Sequence, residues 1–228
     1  MSPGAPLRTP LSHQAEDYLK AIYLLGLEGK ATTQLLSEAL EVTPASVSGM
    51  LKKLAESQLV SHKPYFGAVL TPAGERIALE IVRHHRLLEL YLTESLGYSW
   101  DEVHDEADRL EHVISEEFEA KISSLLGDPH YDPHGHPIPR LDGTLPDSEG
   151  LALSSFAAGS RVCVVRVMDQ NSAFLRYLAE IGLKPNARVH IIRQDIMGGT
   201  LELAVGTEKR TLSLETAGRV WAVERTLD

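Results

Sequence analysis

"EVTPASVSGMLKKLAESQLV", residues 41–60, is the stretch whose reading decides the fold. Thr43 is an N-cap and Pro44 stands at the first helical position, where a missing N–H costs nothing. Val47, Met50, Leu51 and Leu54 then recur at helical spacing as an inward stripe. A short helix from about Thr33 to Leu40 precedes it, so the two make a helix-turn-helix. "LVSHKPYFGAVLTP", residues 59–72, predicts two short strands around a turn at Tyr65-Phe66-Gly67, which is a wing. Upstream, Ser12 caps a helix to about Glu28 with Ala15, Leu19, Ile22, Tyr23, Leu24 and Leu25 on its apolar side, and Gly29 stops it.

Working outward, Thr71-Pro72 opens a long helix to about Leu96, ended by Gly97. Ser99-Trp-Asp-Glu102 predicts a capping box and a second long helix to Gly127. Residues 128–158 are rich in Pro, Gly and Asp and read as a linker. After it come "RVCVVRVM", "ARVHIIRQ", "TLELAVG", "KRTLSL" and "RVWAVE", short strands interrupted by one small helix from Ser172 to Ile181. They predict a small β-barrel of about five strands. The expected fold is mainly α: a winged helix-turn-helix domain (1–71), a helical domain (72–127), the linker (128–158) and a β-domain (159–228).

Composition narrows the function. Apolar and charged residues make up 43% and 24% of the 228, as in soluble globular proteins. No apolar run reaches the ~20 residues of a membrane span, and "MSPGAPLRTP" lacks an export signal, so a cytoplasmic protein with no membrane partner is expected. A single cysteine, Cys163, excludes an intramolecular disulfide and a thiolate cage. Net charge is −10, but residues 1–70 hold six basic and six acidic side chains while 71–127 hold five and thirteen. The acid is concentrated where cations could neutralise it, and a DNA-binding N-terminal part is not excluded.

That acid includes "VHDEADRLEH", residues 103–112. On a helix, His104, Asp108, Glu111 and His112 share one stripe roughly 100° wide. "RHHRLLELYL" places His85 and Glu89 four apart, on one face of the neighbouring helix. Taken alone, a His/Glu pair at that spacing is usually a surface pair. Clustered carboxylates repel unless positive charge sits among them, so one or two divalent-metal sites compete evenly with a solvated acidic face. Asp17, in the first helix, is the nearest further carboxylate. On the second helix of the helix-turn-helix, Thr43, Pro44, Ala45, Ser46 and Ser48 suit close approach to DNA, and Lys52 and Lys53 reach toward phosphates. Lys63 and Tyr65 on the wing are further phosphate contacts. With no Arg, Asn or Gln on the first two turns, shape readout is expected to matter.

The order winged helix-turn-helix, "HHRLLELYL", "VHDEADRLEHVIS", "PHGHPIP" and a small β-domain resembles the diphtheria toxin repressor family over nearly the whole chain. It is most similar to the manganese transport regulator branch, with an added C-terminal domain that is SH3-like (FeoA-type). The resemblance implies a cytoplasmic, homodimeric, metal-activated repressor of metal-uptake genes that binds a palindromic operator in double-stranded DNA. It implies no enzyme activity, no small organic substrate, and two ions per subunit. A primary site would take Asp17, Asp108, Glu111 and His112. An ancillary site would take His85, Glu89 and His104, completed from "MDQNSAF" by Gln170 or Asp169. Iron-type members carry Met and Cys where this chain has Asp17 and Asp108. Oxygen ligands favour Mn²⁺, with Fe²⁺ second. Lys20 stands where the short manganese regulators have a glutamate, which argues against their paired-manganese layout. A metal bridging Asp17 to the later helix would fix the first helix and so the spacing of the two recognition helices. Leu90, Leu96, Val103 and Leu110 are the expected dimer seam.

Three alternatives carry weight. The chain could be an iron-responsive regulator of the same family. A metallohydrolase would need a separate base or nucleophile, and none stands at plausible spacing. A metal-storage or delivery protein would use His130, His134 and His136 but leave the helix-turn-helix without a purpose. Those linker histidines read as loop residues near a hinge.

Overall fold

The computed structural model describes residues 11–63 and 67–225. These form two compact units: the first holds residues up to 83 together with 141–143, and the second holds 84–140 and 144 onward.

The first unit begins with α1 (His13–Glu28), α2 (Thr33–Ala39) and α3 (Pro44–Glu56), each capped as its sequence dictates. Ser12, Thr32 and Thr43 accept hydrogen bonds from the backbone N–H groups of Ala15, Leu35 and Ser46, which satisfies donors the first turn leaves free. Strands β1 (Val60–Lys63) and β2 (Gly67–Leu70) pair antiparallel with Val60 opposite Leu70, and Ala31 adds a bridge to Ala68. Gly67 is required there: its φ is +84°, and a Cβ would lie 2.8 Å from the Ala31 carbonyl oxygen. Tyr65 and Phe66 of the expected turn lie outside the described residues. Tyr18, Leu19, Leu36, Val47, Leu51 and Leu54 form the core with Ala78 and Val82.

Helix α4 (Pro72–Leu96) runs unbroken for 25 residues. In the second unit it is followed by α5 (Val103–Leu110) and α6 (Glu116–Leu125). The single helix expected from 99 to 127 is thus two. Ser115 caps the second by accepting from the Phe118 N–H, and Glu116, Glu117 and Glu119 crowd its first turn, where the helix dipole favours them. The expected capping box does not form either. The Ser99 hydroxyl donates to the Glu102 carboxylate instead, and Trp100 stays outside the helix.

The expected dimer seam is partly intramolecular core. Val103 is fully buried with Leu88, Leu92, Ala107 and Ile122, Leu110 packs against them, and Leu90 is buried with Leu87 and Ile138. Leu96 is 58% exposed.

The β-domain is a six-stranded antiparallel sheet, not five strands. It comprises β3 (Leu151–Ala152), β4 (Arg161–Val167), β5 (Arg188–Asp195), β6 (Thr200–Val205), β7 (Glu208–Ser213) and β8 (Val220–Glu224), in the order β3-β8-β4-β5-β6-β7. Bulges interrupt β4 near Val165 and β5 near Ile192. α7 (Ser172–Glu180) and α8 (Leu214–Gly218) complete it. With 46% helix and 20% strand, "mainly α" describes the chain only loosely.

Candidate metal centre

The site lies in the second unit, where α4 presents His84, His85, Arg86 and Glu89 toward α5 and the 130–140 segment. His85 is buried, and its ring is held on both sides. Its Nδ1 lies 2.6 Å from Glu111 Oε2 and 3.2 Å from Asp108 Oδ1. Its Nε2 lies 3.0 Å from Glu89 Oε1 and 2.9 Å from His104 Nδ1. His104 also approaches Glu89 Oε1 at 3.0 Å and Asp108 Oδ2 at 3.6 Å. His85, His104 and Asp108 each offer a ligand atom within 4.8 Å of the others. His112 joins through Glu111, with Nε2 3.4 Å from Oε1.

The two ligand sets expected from the sequence meet at His85, which touches Asp108 and Glu111 of one and Glu89 and His104 of the other. Asp17 is half-buried on α1 in the first unit. Among the described residues, Gln170 hydrogen-bonds none of these side chains. Asp169 is engaged by Arg219 and the Asn171 N–H.

The sequence reading missed a further group. Glu89, Asp132 and His134, all buried, also place ligand atoms within 4.8 Å of one another. Glu89 and His134 are 0% exposed. Glu89 Oε2 and His134 Nδ1 face each other at 3.5 Å, and neither makes a hydrogen bond. His134 Nε2 lies 2.8 Å from the Trp100 carbonyl oxygen. A carbonyl only accepts, so Nε2 carries the proton, and the neutral ring then aims the Nδ1 lone pair at a carboxylate oxygen. Two acceptors in that relation, shielded from water, call for a cation or a proton between them. The pair fits a divalent metal, and a ligating histidine characteristically donates its other N–H to a carbonyl. Asp132 is more committed: Oδ1 accepts from the His134 and His136 N–H groups at 2.8 and 2.9 Å, while Oδ2 lies 3.2 Å from His136 Nδ1 and 3.8 Å from Arg86 Nε. The only sequence sign of this group was the "PHGHPIP" segment with its unused histidines.

Electrostatics match the geometry. Burial raises the Glu89 carboxyl, but the charge of His85, hydrogen bonds from His104 and His85 and the nearby His134 ring overcome it, holding Glu89 well below the usual carboxylate range. Burial lowers His134, but the Glu89 carboxylate 3.5 Å away, the charge of Asp132 and the Trp100 carbonyl raise it overall. His84 adds support: Nδ1 lies 3.1 Å from the Glu111 carbonyl oxygen and Nε2 3.2 Å from Glu119 Oε2. The turn carrying Glu111 and His112 is thereby tied to α4.

In the first unit, Thr43, the N-cap of α3, and Pro44, Ala45, Ser46, Ser48, Lys52 and Lys53 within it all lie exposed. Lys63 ends β1, and Tyr65 lies outside the described residues.

Residues 10–68 match the family described as "Iron dependent repressor, N-terminal DNA binding domain", and 71–140 match "Iron dependent repressor, metal binding and dimerisation domain". Residues 151–224 match "FeoA domain". The chain is 32% identical over 219 residues to the iron-dependent repressor IdeR of Mycobacterium leprae, covering 90% of this chain and 94% of the relative. It is 39% identical over 127 residues to the diphtheria toxin repressor of Corynebacterium glutamicum, covering 55% and 56%. A solved manganese-dependent transcriptional repressor in complex with manganese superposes with a TM-score of 0.84 at 37% identity, over 92% of this chain and 100% of that one.

Proposed function

The chain belongs to the diphtheria toxin repressor family of metal-dependent transcriptional regulators, and on that premise we propose a Mn²⁺-responsive, homodimeric repressor of metal-uptake genes. It is a metal-responsive DNA-binding repressor and not an enzyme. The single observation that carries the finer reading is the donor set: nitrogen from His85, His104, His112 and His134, and oxygen from Glu89, Asp108, Glu111 and Asp132, with no sulfur. That set suits Mn²⁺, with Fe²⁺ second.

A bound divalent cation would supply the positive charge that this acidic segment lacks. The protein's own residues do the rest. Glu89 would offer Oε1 to a cation held with His85 and His104 and Oε2 to one held with His134, which favours two ions per subunit. Asp108 and Glu111 hold His85 from the α5 side, and Asp17 is the further carboxylate ligand expected from sequence. Gln170 and Asp169 are weaker assignments, since Asp169 is bound to Arg219. α3 lays its small, exposed residues toward the major groove of a palindromic operator, and Lys52 and Lys53 contact phosphates. Such a protein works where the genome is, in the cytoplasm.

The test is selection of genomic duplex DNA by chelator-stripped protein. Enrichment of a palindromic site only with Mn²⁺, abolished by Asp108→Ala or Glu111→Ala, is the expected result. Equal binding in both conditions would make the cluster structural and sink the proposal.

A further inference from the structure

We infer that Trp100 is a positioning residue for His134, through which the β-domain fixes the imidazole that faces Glu89; this rests on the reading of Glu89 and His134 as a cation pair. Trp100 precedes α5, yet its side chain packs in the β-domain core with Leu153, Val164, Val167 and Leu175. Lys184 Nζ lies 5.2 Å from the indole centroid, and neighbouring Asp101 pairs with Arg176 of α7 at 3.3 Å. The indole thus belongs to the β-domain, while its backbone belongs to the approach to α5.

Three contacts run from there to the cation pair. The indole Nε1–H donates to the Pro133 carbonyl at 2.9 Å. The Trp100 carbonyl accepts from His134 Nε2 at 2.8 Å, which sets the tautomer and leaves Nδ1 free for a metal. The rings of Trp100 and His134 stack at 5.2 Å, tilted by 32°. β4 closes the other side. Val167 N–H donates to the His134 carbonyl at 3.0 Å. Gly135, at φ +89°, approaches so closely that a Cβ would lie 1.9 Å from the Val165 carbonyl oxygen. His134 is therefore clamped between one β-domain strand and an indole seated in the β-domain core. Because coupling is reciprocal, what seats the β-domain must also sharpen cation binding at His134.

The experiment is calorimetric Mn²⁺ titration of the full chain and of Trp100→Phe, Gly135→Ala and His134→Ala, with thermal melts of each. A Trp221→Phe background leaves Trp100 as the only emitter of the two tryptophans. Trp100→Phe and Gly135→Ala should each weaken one class of sites roughly tenfold, the low end for a group supporting a metal ligand, and spare the other. His134→Ala should delete that same class, and Trp100 emission should be quenched at its midpoint. If His134→Ala deletes a class that Trp100→Phe and Gly135→Ala leave unchanged, the positioning role is wrong while the site stands. If His134→Ala leaves both classes intact, the site reading itself is wrong. Equal weakening of both classes, alongside a lowered melt, would reduce Trp100 to a structural residue and overturn the inference.

Discussion

The two faces of Glu89 look onto different surroundings. On the Oε1 side, His85, His104, Asp108 and Glu111 already hydrogen-bond one another, and Asp108 and His104 are partly open to solvent. On the Oε2 side, Glu89 and His134 are fully buried and face each other with nothing donated between them. The first cluster can satisfy itself with protons when no metal is present. The second is sealed from water, so its two facing acceptors need a single proton or a cation between them. The same carboxylate therefore joins an adaptable cluster to a demanding pair.

The largest expected effect comes from the residue both sides share. Glu89→Gln should lose both classes of Mn²⁺ sites and weaken Mn²⁺-dependent DNA binding by about 100-fold or more, read by fluorescence anisotropy, since even outer-shell losses cost 10- to 100-fold. Retention of either class at wild-type affinity would separate the two faces. Next, Leu88→Ala, in the cluster behind α5, should destabilise the fold by about 2–5 kcal/mol in denaturant titration without removing a ligand. A smaller loss there would mean that the helices owe their placement to the polar network and not to packing.

His104→Ala should weaken the open cluster roughly tenfold while leaving the buried pair intact, checked by competition with a metal-sensing dye. The buried pair also predicts a pH signature. In metal-free protein the His134 value is raised despite burial, because Glu89 outweighs it. That stabilisation is fully present below about pH 6.5 and is lost as pH rises through the raised value. Mn²⁺ takes the neutral ring, so affinity at this pair should rise over the same interval, and a flat profile would count against it. The smallest change is on DNA: Lys52→Ala should lower the slope of log affinity against log salt by about 1, with little change in sequence preference.

The sequence exposed what depends on local order. Thr43, Pro44 and the Val47–Leu51–Leu54 stripe predict α3 as it forms, and alternation marks most of the β-domain strands. The break between α5 and α6 was hidden because Glu111, His112 and the acids after Ser115 keep helical spacing, while Ser115 acts as a cap instead of a mid-helix residue. Glu111 and His112 therefore sit on a turn, tied to α4 by His84, and not on a continuous stripe. Asp132 and His134 read as loop residues because nothing in their neighbourhood shows that β4 and Trp100 enclose them. Burial of a polar loop residue is set by partners thirty residues away, which no local pattern records. The seam residue Val103 failed for the same reason: an apolar face looks alike whether it meets its own chain or another.

The most direct measurement is Mn²⁺ stoichiometry by equilibrium dialysis on wild type, His134→Ala and Glu89→Gln, each verified as folded. The account predicts two ions per chain, one, and none at wild-type affinity. Two ions retained by Glu89→Gln would contradict it.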